Sequence, residues 1–139
     1  MNEARLTGYA ALLLRVTLGT LFVAHALLKL FVFTLAGTAQ YFASLGLPGW
    51  LGYATFAAEL AGGLLLIAGV RVRAVALALV PVLVGATWAH AGNGWVFSAP
   101  NGGWEYPAFW TVALVVQALL GAGALALPAR APALRLQRA

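Results

Sequence analysis

Apolar residues run along this chain in four long blocks, about Tyr9–Phe33, Tyr53–Val70, Ala74–Ala91 and Ala108–Leu127. Each block approaches the ~20 residues that a helix needs to cross ~30 Å of hydrocarbon. The pattern predicts an all-α integral membrane four-helix bundle in a single domain. The first link contains TAQYFASLG, with Phe42 and Leu45 spaced for one helical face, so a short interfacial helix is expected, ended by Gly46 and Pro48. Trp50 and Tyr53 sit where an aromatic belt would anchor the second block. The third link, AGNGWVFSAPNGGWEYPAF, is expected to fold over the outer mouth, because Trp95, Val96, Phe97 and Trp104 need cover. Pro81 removes a backbone donor inside the third block and predicts a kink there. Gly62, Gly63, Ala68 and Gly69, with Gly121 and Gly123, would let helices approach closely.

Composition agrees with the blocks. The chain has 139 residues, 63% hydrophobic and 8% charged, whereas a soluble domain carries about 25% charged residues. Its mean hydropathy is +0.94. The net charge of +5 comes from scattered basic residues, which report topology rather than a nucleic-acid surface. Arg5 precedes the first block, Arg71 and Arg73 fill the turn between the second and third, and Arg130, Arg135 and Arg138 follow the fourth. The other two links hold no Lys or Arg. The positive-inside rule therefore places both termini in the cytoplasm. Ala24-His25-Ala26 loosely resembles a leader cleavage site, but Arg15 before it and Lys29 after it argue against cleavage. The absence of cysteine excludes disulfides, thiolate metal sites and a cysteine nucleophile. No Walker, GxSxG, HExxH or dinucleotide-binding pattern occurs.

The candidate chemistry lies in the few polar residues inside the blocks. Arg15, His25 and Lys29 share one face of the first helix, which predicts a stripe turned into the bundle. At 1.5 Å per residue, Lys29 falls ~6 Å, Glu59 ~9 Å and His25 ~12 Å below the outer boundary. Glu59 therefore has Lys29 or His25 as a partner in its own layer. His90 and Glu105 close the third and open the fourth block near the same end. Together with Trp88, Trp104 and Tyr106 they suggest a pocket with flat walls and a few polar hooks, made of His25, Lys29, Glu59, Trp88, His90, Trp104 and Glu105. A lone charge pair could instead serve only to fix helix register. Arg15 lies deeper and is expected to be a structural cation, snorkelling or locking the bundle. His25 and His90 differ by ~10 Å in depth, which disfavours a bis-histidine haem or a shared metal.

The pieces RVTLG (15–19), HALLK (25–29), GLP (46–48), ELAGG (59–63), Gly69, His90, GGWEYP (102–107) and GAG (121–123) occur in order across the four blocks. In that arrangement the chain resembles the DoxX family of small four-helix bacterial membrane proteins. Two departures are Ala26 after the histidine, where the family often has glycine, and ALALPAR at the end of the last block. The resemblance implies the bacterial cytoplasmic (inner) membrane and association with redox systems, including membrane subunits of thiosulfate:quinone oxidoreductase. Distant relatives resemble chaperones or cargo receptors. The expected function is a membrane component of a redox system that binds a quinone or similar apolar molecule. The alternative is a non-catalytic scaffold, chaperone or assembly factor. No covalently bound cofactor is expected, and a redox partner protein would bring the electron carrier. Homo-oligomers are expected, and since four short helices leave little room for a pore, transport would need an oligomer or an unusual opening.

Overall fold

The computed structural model describes residues 2–128, all of whose regular elements are helical. Helix α1 (Glu3–Leu27) runs directly into a π-helical turn, Leu28–Val32. Helix α2 covers Leu35–Ser44, α3 Trp50–Ala68, α4 Val72–His90 and α5 Glu105–Leu120. Three stretches are long and apolar enough to cross a membrane: Glu3–Val32, Trp50–Ala68 and Val72–Asn93. Helix α5 is apolar but only 16 residues long. Arg130, Arg135 and Arg138, on which part of the topology argument rests, lie outside the described residues.

The local sequence accounts for the helix ends. Asn2 caps α1 by accepting the Arg5 N–H at 3.0 Å. Thr34 caps α2 by accepting the Gly37 N–H, also at 3.0 Å. At the far end of α2 the Leu47 N–H reaches back to the Phe42 carbonyl, past Gly46. Helix α3 stops in the same way at Gly69, whose φ of +78° suits glycine, with the Val70 N–H on the Leu65 carbonyl. Helix α4 continues through Pro81. The fourth apolar block is helical only to Leu120, because Gly121 turns to φ +82° and ends the ladder. Residues 121–128 then run as irregular chain across the end of the bundle, bonding Gly8 of α1 through the Ala124 N–H and Ala68 of α3 through the Leu127 N–H.

Helices α1, α3, α4 and α5 pack antiparallel, with α1 and α4 each touching both α3 and α5. The buried positions recur every three or four residues: Leu18 and Phe22 on α1, Leu66 on α3, Leu79 and Leu83 on α4, Trp110 and Leu114 on α5. Opposite them, Leu13, Leu64, Leu77, Phe109 and Leu119 are exposed. A helix that is apolar on both its faces belongs in lipid. Lipid is as apolar as the bundle interior, so close packing and internal hydrogen bonds, not transfer from water, hold such helices together. Helices α1 and α3 come close at Gly19 and Gly63, backbone against backbone. Gly62 makes room for Leu79 of α4. Helix α2 lies over the start of α3, with Ala39 against Gly49 and Gly52.

Two buried polar side chains tie the end of the bundle where α3 and α5 stop. Arg15, 1% exposed, donates to the carbonyls of Leu66 (3.3 Å), Ile67 (3.0 Å) and Ala124 (2.9 Å). The guanidinium supplies the donors that carbonyls at the end of α3 lack within their own helix. Any side chain on Gly69 would collide with it. Gln117, fully buried, donates to the Ala11 carbonyl at 3.2 Å and the Gly121 carbonyl at 2.8 Å.

Candidate functional site

At the opposite end, Lys29 Nζ lies 2.7 Å from Glu59 Oε2. Glu59 is 5% exposed and is held one turn before Gly62 and Gly63, where α3 packs tightly. Lys29 stands on the π-helical turn, in which the Phe33 N–H reaches the Leu28 carbonyl at 2.9 Å. A π turn adds a residue to the helical cycle and so rotates everything after it relative to an ideal α-helix. Glu59 is buried and Lys29 mostly covered, and each charge offsets the cost of removing the other from water. Lys29 has three N–H donors and meets one protein acceptor among the described residues.

One helical turn before Lys29, His25 is half-buried and points at α5. Its Nδ1 is 2.9 Å from the Leu21 carbonyl, which can only accept, so Nδ1 carries the hydrogen. In the neutral ring Nε2 is then left with a lone pair. The imidazole meets Trp110 edge to face, ring centroids 4.9 Å apart and planes at 62°. Phe22 at 4.6 Å and Tyr106 at 5.7 Å complete the aromatic cluster around Trp110. Trp110 is buried, and its indole N–H has no hydrogen-bond partner among the described residues.

The other candidate residues lie elsewhere around the bundle. Trp88 and Trp104 line an open apolar cleft of about 450 Å³ between α4 and α5, with Val84 and Ala108. Thr87 and Thr111 also line it, but their hydroxyls donate to the Leu83 and Pro107 carbonyls within their own helices. None of His25, Lys29 and Glu59 lines this cleft. His90 Nδ1 bonds to the Ala86 carbonyl at 2.7 Å, the same arrangement as at His25. Glu105 accepts the Phe97 N–H at 3.2 Å, while its own N–H donates to the Trp95 carbonyl at 2.9 Å. Glu105 thus pins the α4–α5 loop. That loop is folded, with Asn93 donating to Gly102 at 2.9 Å, yet Trp95 and Phe97 are more than half exposed rather than covered. The apolar loop side chains expected to need cover face outward, as membrane-interface aromatics do.

The single pocket expected from depth is therefore two features: a closed polar layer between α1, α3 and α5, and an open cleft between α4 and α5. Sequence reasoning did not single out Trp110 or Gln117. Trp110 carries a signal that could have found it, since it lies one turn beyond Tyr106, at the depth of the polar layer. Gln117 is an amide within an otherwise apolar block, and such a residue needs partners inside the bundle.

The DoxX family model matches residues 10–92, which include Arg15, His25, Lys29, Glu59, Trp88 and His90 but end before α5. A protein of Bacillus subtilis (strain 168), named "Putative oxidoreductase CatD", is 41% identical over 86 residues. The aligned part covers 62% of this chain and 61% of that protein, so the chain spans less than two thirds of that relative. No solved structure matches the chain.

Proposed function

The chain belongs to the DoxX family, and on that footing we propose that it is a membrane component of a redox system that binds a quinone, or a similar apolar small molecule, beside Lys29. One observation carries this: the 2.7 Å pair of Lys29 and buried Glu59, whose lysine keeps N–H donors without a partner among the described residues, one turn from His25. Glu59 fixes the direction of the ammonium. The remaining N–H groups of Lys29 meet a ligand carbonyl, and His25 lies one turn away to receive or return a proton. The name of the Bacillus relative supports a redox setting. Electrons come from a partner protein, as in a membrane subunit of a thiosulfate:quinone oxidoreductase.

The protein crosses the bacterial cytoplasmic membrane four times, with both ends inside, and forms homo-oligomers. Arg5, Arg71 and Arg73 at one end of the bundle support this orientation. At about 24 Å, α5 is shorter than the hydrocarbon core, and the apolar residues 121–127 continue from it as irregular chain over the end of the bundle. A reporter fused after Arg138 is expected to be active in the cytoplasm, and activity only outside would overturn the orientation.

A second function, a non-catalytic scaffold, chaperone or assembly factor, is favoured by the closure of the pair: Glu59 is almost fully covered and the α4–α5 cleft lies elsewhere. Titration of the purified protein with a short-chain quinone separates the two. Saturable binding in the wild type, lost in Lys29→Met with helicity retained, supports the ligand site. A folded wild type that binds no quinone leaves the scaffold.

A further inference from the structure

Trp110 presents a buried indole N–H without a partner among the described residues, whereas buried donors in folded proteins are as a rule matched. Its neighbour across the α1–α5 contact is His25, whose Nδ1 hydrogen is already given to Leu21. With ring centroids 4.9 Å apart, an unpaired donor and a ring nitrogen with a free lone pair thus belong to touching side chains of two helices, one turn from Lys29. A hydroxyl has this complement, since it accepts through oxygen and donates through hydrogen. A carbonyl has only the accepting half.

Charge argues in the same direction. Glu59 already neutralises Lys29 at 2.7 Å. The layer carries no unmatched positive charge while His25 is neutral, so it suits an uncharged polar group better than an anion.

We propose that Trp110 Nε1–H and His25 Nε2 hold one hydroxyl of the ligand, so that the site prefers a quinol to the corresponding quinone. This rests on the ligand site proposed beside Lys29 and names the form of the ligand that the site selects. Trp110 is a binding residue in this scheme: its N–H donates to the hydroxyl oxygen while the hydroxyl proton points at His25 Nε2. The rings of Phe22 and Tyr106, tilted against the indole, hold it in place.

The test is calorimetric titration of the full chain in lipid nanodiscs without oxygen, using decyl-ubiquinol, its dimethyl ether and decyl-ubiquinone. The ether keeps the ring and the oxygens but has no hydroxyl proton. The quinol is expected to bind about tenfold tighter than either comparator, the effect of one hydrogen bond. Trp110→Phe is expected to lower quinol affinity about tenfold, and ether affinity with it, because the ether oxygen still accepts the indole N–H. Equal wild-type affinity for quinol and ether would overturn the proposal and leave the two nitrogens to a water molecule. So would a Trp110→Phe variant that keeps the full quinol affinity. If that variant fails to fold, the ether comparison on the wild type decides. Quinone binding as tight as quinol binding defeats this inference alone. Binding of none of the three defeats the quinone site as well.

Discussion

Gly19 of α1 and Gly63 of α3 meet backbone against backbone: a Cβ on Gly19 would fall 2.7 Å from the Gly63 carbonyl oxygen, and one on Gly63 would fall 2.8 Å from that of Gly19. This crossing fixes how α1 and α3 are rotated and spaced, and so brings Lys29 to Glu59. Gly63→Ala is expected to cost about 1–3 kcal/mol through forced backbone movement. Gly85→Ala on α4, where nothing lies within 4 Å, is expected to gain up to ~1 kcal/mol from helix propensity. Unfolding in mixed micelles reads both, and a Gly63→Ala protein as stable as Gly85→Ala would contradict the crossing.

Arg15 is the counterpart at the other end. Arg15→Met strips donors from three carbonyls and is expected to destabilise by about 2–3 kcal/mol. The loss should be felt first by residues 121–128. The Ala124 N–H, which bonds the Gly8 carbonyl at 2.9 Å, and the Leu127 N–H, which bonds that of Ala68 at 3.2 Å, should exchange hydrogen faster. Unchanged exchange at both amides would show that Arg15 does not hold this segment.

The charge pair makes a thermodynamic cycle. Lys29→Met or Glu59→Gln alone is expected to cost about 3 kcal/mol, because each leaves a buried polar partner without its match. The double variant should recover part of that loss. Strictly additive losses would mean that the two side chains do not interact in the membrane.

Glu105 offers a contrast within the same end of the bundle. Its carboxylate holds the Phe97 N–H, so Glu105→Ala is expected to cost about 1 kcal/mol and to speed exchange at Phe97. Quinone affinity should not change. A lost affinity would move Glu105 from loop anchor to ligand contact.

These residues also show what the sequence makes legible. Four apolar blocks and a glutamate inside one of them are visible at once, and a rise of 1.5 Å per residue sets Lys29, His25 and Glu59 in one layer. Depth is only one coordinate. Position around the bundle depends on helix rotation, which the Gly19–Gly63 crossing sets and the π turn at Leu28–Val32 shifts, and neither has a clear local signature. Trp88 and Trp104 thus lie toward the same end as Lys29 yet line a different cleft. Trp110 has the depth of the polar layer in its sequence position, but only its neighbours show that it faces His25. The end of α5 at Leu120 turns on the conformation of Gly121, where hydropathy continues unbroken to Leu127.

The most direct test of the ligand site is photolabelling in native membranes with an azido-quinone, followed by peptide mapping. The adducts are predicted on α1 near His25 and Lys29 or on α5 near Trp110, and they should disappear in Lys29→Met. Labelling confined to the Trp88–Trp104 cleft, or labelling that Lys29→Met leaves intact, would contradict a quinone site at the Lys29–Glu59 pair.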